Sequence, residues 1–227
     1  MTRNQRIALW LLVGGPILVF SVWAISDNTR LYFVTLLNSL TLASLYFIVA
    51  SGFTLVFGLM RNVNLAHGSL YLLGGYVGYV VADKTGWWLL ALAAGFAAAA
   101  VAGLLIQVLI LRRMQGQDLR QTLVTIGLSI VIADVLLWIF TGQVHQMEAP
   151  EWLQGPIRGI PLINAYGAFR LSLLGFGIVI GLGLWWLLNK TRVGTMIRAG
   201  VDDRGMLAAA GVNVNLVFAV TFMLGAG

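Results

Sequence analysis

Long apolar runs alternate with short polar breaks along nearly the whole chain, and the lengths of the runs predict helices that cross a membrane. Residues 7–26 form the first run, with Gly14, Gly15 and Pro16 near its middle, where a proline kink is expected. A polar turn at 27–30 follows. Residues 31–60 are then apolar for thirty positions, more than the roughly 20 that one straight span needs. Ser51-Gly52 is the expected point of division, giving a span at 31–50 and a second, short or re-entrant piece ending at Arg61. Residues 65–82, 87–111, 123–140 and 171–188 read as further spans. Trp87-Trp88 opens one of them, as interfacial tryptophans do. The polar connections lie at 112–120, at 141–170, which holds three of the four prolines, and at 190–215. The last apolar run, from Leu216, reaches Gly227 after twelve residues, less than a crossing, so the sequence is expected to be truncated at its C-terminus.

Composition narrows the class. The chain has 227 residues, 59% of them hydrophobic and 10% charged, against about 25% charged in soluble domains. The expected fold is all-α: a polytopic transmembrane helical bundle with broken or re-entrant helices, forming one membrane domain over 1–227. The net charge of +6 is spread over the ends of the hydrophobic runs and not gathered on a soluble module. Nucleic acid is therefore not an expected partner, and the lipid bilayer is. With the amino terminus placed in the cytoplasm and 31–60 treated as one net crossing, ten basic residues fall inside. Four fall outside, Arg30, Lys84, Arg158 and Arg170, in keeping with the positive-inside rule. The first run is longer than a signal-peptide core and reads as an uncleaved span.

Several chemistries are excluded by what is missing. There is no cysteine, so disulfides and thiol nucleophiles are ruled out; with only His67 and His145, no metal site is expected. No catalytic constellation and no cofactor are expected either. The chain holds no GxxxxGK[ST] motif, so any ATP that drives it must bind another subunit. Asp134 is the one acid inside a span, where a carboxylate is costly; it reads as a structural pair, with water or Arg170 in reach, over a substrate contact.

Small residues recur at helical spacing. Gly74 and Gly78, then Gly95, Ala99 and Gly103, then Gly177 and Gly181 are expected to let helices pack closely. The polar break RNVNLAHG, residues 61–68, admits two readings. One is a turn in which Asn64 caps a helix starting at Leu65 and Arg61 anchors at the headgroups. The other is irregular backbone at membrane depth, lining a translocation path with Gly58, Asn62, Asn64, His67 and Gly68.

The stretch GFTLVFGLMRNVNLAHGSLYLLGGY closely resembles the permease subunits of bacterial ABC importers for branched-chain amino acids. Gly52, Gly58, Asn64, Ala66, His67, Gly68, Gly74 and Tyr76 match the family's pattern, with Gly75 in place of alanine. A second likeness lies in TRVGTMIRAGVDDRGMLAAAGVNVNLVFAVTF. Residues 190–215 resemble the segment that couples such permeases to their ATPase, with Thr191, Gly194, Arg198, Asp202, Asp203, Arg204, Ala208 and Gly211 in register. Gly205 departs from the pattern, since many relatives carry glutamate there. By physics alone, 206–210 is a short helix fenced by Asp202-Asp203 and stopped by Gly211.

The resemblance implies a permease that is not itself an enzyme, in the bacterial inner membrane. Its partners would be cytoplasmic ATPase subunits, a second permease subunit (identical or different), and a periplasmic substrate-binding protein. That protein would be received by 141–170, where Glu148 and Glu151 are available. The implied cargo is a branched-chain amino acid; relatives with similar motifs handle urea, short amides or aromatic acids. A channel or secondary carrier would call for more embedded charge or an inverted repeat, and a membrane enzyme for clustered catalytic groups.

Overall fold

The computed structural model describes residues 3–60, 64–114, 116–159, 163 and 165–227. Helix α1 runs Arg3–Met60 and leaves helical geometry only at Asn28 (φ −151°, ψ 92°). The Asn28 side chain there accepts the Leu31 N–H at 2.9 Å, capping the helix that resumes. The backbone stays helical through Pro16. It also stays helical through Ser51 and Gly52, which corrects the expected division at that point. Ser51 Oγ donates to the Ile48 carbonyl at 2.8 Å and Thr54 Oγ1 to the Ala50 carbonyl at 2.7 Å, so these hydroxyls are satisfied within the helix and need no break.

The remaining helices follow the apolar runs. They are α2 (His67–Thr85), α3 (Trp88–Leu109), α4 (Asp118–Phe140), α5 (Ala168–Lys190), α6 (Arg192–Asp202), α7 (Arg204–Ala209) and α8 (Val214–Ala226). A 3-10 turn at Leu111–Met114 occupies part of the loop expected at 112–120. Among the described residues four helical stretches are long and apolar enough to cross a membrane: Gly14–Gly58, Trp88–Met114, Asp118–Phe140 and Ala168–Lys190. The span expected at 65–82 forms α2, which falls outside that set and lays a glycine-rich face on α3. The connection at 141–170 is not wholly irregular. Strands β1 (Pro156–Arg158) and β2 (Ala165–Gly167) pair antiparallel in it, with Ile157 opposite Tyr166.

The chain divides into two compact units. One comprises residues 1–45 and 151–176. Its hairpin is stapled to α1 by a polar cluster around Asn38, whose Oδ1 accepts from the Tyr166 hydroxyl at 2.9 Å and from Arg170 Nη1 at 2.7 Å. Thr41 Oγ1 lies 3.3 Å from the same hydroxyl, and Ser44 Oγ donates to the Leu173 carbonyl at 3.2 Å.

The other unit comprises 46–150 and 177–227. Its core joins Val56, Leu70, Ile106, Leu111, Ile197, Val217, Phe218, Phe222 and Ala226. Around that core the helices meet backbone to backbone. A Cβ built on Gly95 would lie 2.7 Å from the Gly74 carbonyl oxygen, and one on Gly78 3.2 Å from that of Ala91. Gly103 faces the Ala226 methyl and the Phe222 ring. Gly225 of α8 sits against the Gly52 carbonyl and Val56 of α1, and Gly181 against the Phe47 ring; Gly177 is buried. Where lipid is the solvent, this close approach is what gives helices a reason to associate.

These contacts separate glycines that must be small from those that need not be. Gly95→Ala is expected to destabilise the protein by roughly 1–3 kcal/mol, the range for overpacking. Gly75→Ala, with open space beside it, should change stability by no more than about 1 kcal/mol and in the stabilising direction. Thermal midpoints of the two purified variants in one detergent check this.

Candidate functional site

The polar break between α1 and α2 is buried where it is described. Residues 61–63 lie outside the described residues, and Asn62 and Arg61 with them. Asn64 is 3% exposed and His67 8%. Asn64 Oδ1 accepts the Ala66 N–H at 3.1 Å, closing a turn two residues long. Helix α2 begins only at His67, with Ala66 in the cap position and no side-chain cap. This corrects the expectation of a helix from Leu65 capped by Asn64. The side chain reaches the nearer amide, and the helix starts after its turn.

Helix α4 holds the break in place from one side. The Leu65 N–H donates to Thr125 Oγ1 at 3.3 Å, and Ser69 Oγ donates to the Ser129 carbonyl at 3.0 Å. Gln121 is buried on the same helix and donates to the Met114 carbonyl. Gln121, Thr125 and Ser129 recur every fourth residue and so share one helix face. That polar stripe within an apolar run is a local signal for a helix facing protein, one that run length alone does not carry.

From the other side α1 holds His67. Its Nε2 lies 3.3 Å from the Val49 carbonyl, its ring stands edge-on to Phe53 at 5.8 Å, and Cε1 is 3.4 Å from where a Gly52 Cβ would be. Gly52 is therefore a crossing point, in contact at once with the His67 ring and the Gly225 backbone. Nothing local in sequence marks the Val49 carbonyl or Gly225 as partners. Two polar atoms of the break, Asn64 Nδ2 and His67 Nδ1, are buried without a hydrogen-bond partner among the described residues. Gly58 and Gly68 are exposed, with open space beside them.

The second region is the segment 190–215. Thr191 caps α6: its Oγ1 accepts the Gly194 N–H at 3.2 Å and donates to the Leu187 carbonyl at 2.6 Å. Gly194 lies against the backbone of Leu187 and Leu188, so the chain can double back only if that residue has no side chain. Helix α6 buries Gly194, Ile197 and Gly200, with Val193, Met196 and Val201 packed on the core, and exposes Arg192, Thr195 and Arg198. Arg198 Nη1 donates to Asn189 Oδ1 at 3.1 Å.

Asp203 then caps α7, accepting the N–H groups of Gly205 at 2.8 Å and Met206 at 3.0 Å. The helix closes at Gly211 (φ 81°), whose N–H donates to Ala208 while that of Val212 donates to Leu207. Leu207 points inward. Asp202, Ala208 and Met206, the last 74% exposed, face outward, and the side chain of Arg204 lies outside the described residues.

Asp134 is exposed on α4. Among the described residues no group of three or more His, Cys, Asp or Glu could hold a metal ion.

A family model described as "Branched-chain amino acid transport system / permease component" matches residues 35–227. Over 208 residues the chain is 26% identical to the high-affinity branched-chain amino acid transport system permease protein BraD of Pseudomonas aeruginosa, covering 86% of this chain and 67% of that protein. It is 29% identical to the corresponding permease protein LivH of Escherichia coli over 214 residues, 86% of this chain and 68% of that one. With LivH of Salmonella typhimurium the identity is 28% over 216 residues, with the same coverage. No solved structure matches.

The cap of α7 can be tested directly. Asp203→Ala should destabilise the helix by about 1 kcal/mol. Amide exchange at 204–210 should then be roughly fivefold faster, while Asp203→Asn, which keeps the acceptor, should leave it close to the parent rate.

Proposed function

We propose that this chain, which belongs to the family of permease components of branched-chain amino acid transport systems, is the membrane-spanning subunit of an ATP-driven importer for those amino acids. The observation that carries the reading is the segment 190–215. It presents an exposed face with Arg198, Asp202, Met206 and Ala208, while its other face packs into the core beside Phe218 and Phe222. A partner that grips the outer face therefore moves the core directly, through packed side chains and not through a slack linker. No nucleotide-binding motif is present in the sequence, so that partner is a separate ATPase subunit.

Orientation follows from charge. With ten basic residues inside and four outside, the amino terminus and 190–215 lie in the cytoplasm, and the membrane is the cytoplasmic one. The connection at 141–170 then faces outward, where a substrate-binding protein delivers the solute, and a second permease subunit completes the conduit. The path runs by the polar break, past Gly58, Asn62, Asn64, His67 and Gly68. ATP binding and hydrolysis in the partner alternately tighten and release α6 and α7, opening the path to each side in turn. The chain carries out no chemistry on its cargo.

Reconstitution tests this. The full-length permease with its ATPase subunits and binding protein should take up leucine into liposomes only when ATP is supplied. Arg198→Glu combined with Met206→Glu should lower that uptake about tenfold or more, as a loss of about 1.4 kcal/mol at a docking surface does. The reading fails if no complex forms, or if uptake proceeds unchanged in the double variant.

A further inference from the structure

We infer that Asn64 and His67 read the two charged ends of the transported zwitterion, Asn64 taking the carboxylate and His67 the ammonium. The assignment rests on the amino-acid importer reading above. It starts from a deficit in hydrogen bonding. The Asn64 amide commits its oxygen to the Ala66 N–H at 3.1 Å. Its nitrogen Nδ2, a donor, is enclosed and has no partner among the described residues. His67 has the complementary deficit. Its Nε2 lies 3.3 Å from the Val49 carbonyl, which can only accept, so the ring proton sits on Nε2. The neutral ring then presents Nδ1 as an acceptor, and Nδ1 too is enclosed without a partner among the described residues.

One polar break thus holds an unfilled donor and an unfilled acceptor three residues apart, at the start of α2. Buried polar groups are nearly always paired, and leaving them unpaired costs stability. A zwitterionic amino acid offers the matching pair: a carboxylate that only accepts and an ammonium that only donates. The carboxylate also suits the positive dipole end at the start of α2. Broken helices present such ends to anionic groups of solutes in other transporters. Because both atoms are enclosed, they meet solute only when the His67–Val49 contact between α2 and α1 loosens, which ties recognition to the movement driven from outside the bundle.

The test uses the full-length permease assembled with its ATPase subunits, with binding of radiolabelled leucine as the readout. Competitors are isocaproate, which lacks the ammonium, isoamylamine, which lacks the carboxylate, and isoamyl alcohol, which lacks both. In the unsubstituted complex the first two should displace leucine and the alcohol should not. Asn64→Asp keeps the acceptor for Ala66 and replaces the donor with a negative charge. It should weaken leucine binding about tenfold or more and abolish competition by isocaproate alone. His67→Lys keeps a donor for Val49 and offers no acceptor; it should weaken leucine to a similar degree and abolish competition by isoamylamine alone. If Asn64→Asp prevents assembly, Asn64→Ala, which removes the donor, carries the same test. Binding within twofold of the parent in both variants, or equal loss of both competitors in each, overturns the assignment. An unsubstituted complex that takes up leucine yet shows no displacement by either charged competitor overturns it as well. Failure of that complex to take up any amino acid overturns the importer reading itself, and this assignment with it.

Discussion

Helices in a bilayer gain little by hiding apolar surface from one another, because the lipid is as apolar as they are. What holds the larger unit together is direct approach of backbones, and that approach depends on glycine. Gly74 against Gly95 joins α2 to α3; Gly225 against Gly52 joins α8 to α1; Gly103 opens a place for Ala226 and Phe222. Dispersion forces fall steeply with distance, so one methyl group at such a crossing forfeits contacts along both helices. The polar break and the segment after α5 are positioned by helices that meet in this way.

Where it is described, the polar break is tolerated inside such a unit because its neighbours satisfy most of its polar groups. Helix α4 supplies Thr125 and Ser129 from a stripe of polar residues four apart, and α1 supplies the Val49 carbonyl. Buried irregular backbone survives only where neighbours satisfy its polar groups. Among the described residues of the break two side-chain atoms are left over, one donor and one acceptor.

The segment after α5 has the opposite character. Its helices are short, and capped by Thr191 and Asp203. Gly194 lets the chain fold back tightly on the end of α5, and Gly211 closes the second helix in the left-handed region. These devices hold the segment firmly against the core while leaving charged and apolar groups outward.

Sequence alone determined the membrane class, the positions of most helices, the glycine spacing and the short capped helix between Asp203 and Gly211. These depend on run length, periodicity and capping, which are local properties of the chain. Other features became legible only in the folded molecule. Gly52, read as a point of division, is a packing glycine, because the residue it touches is Gly225, far along the chain. Asn64, which one of its two readings made the cap of a helix from Leu65, closes a turn ahead of the helix. The hairpin at 156–167 and the role of Asn38 in stapling it depend on Tyr166 and Arg170. What a polar or small residue does in a membrane protein depends on what lies opposite it, and that partner is supplied by tertiary structure.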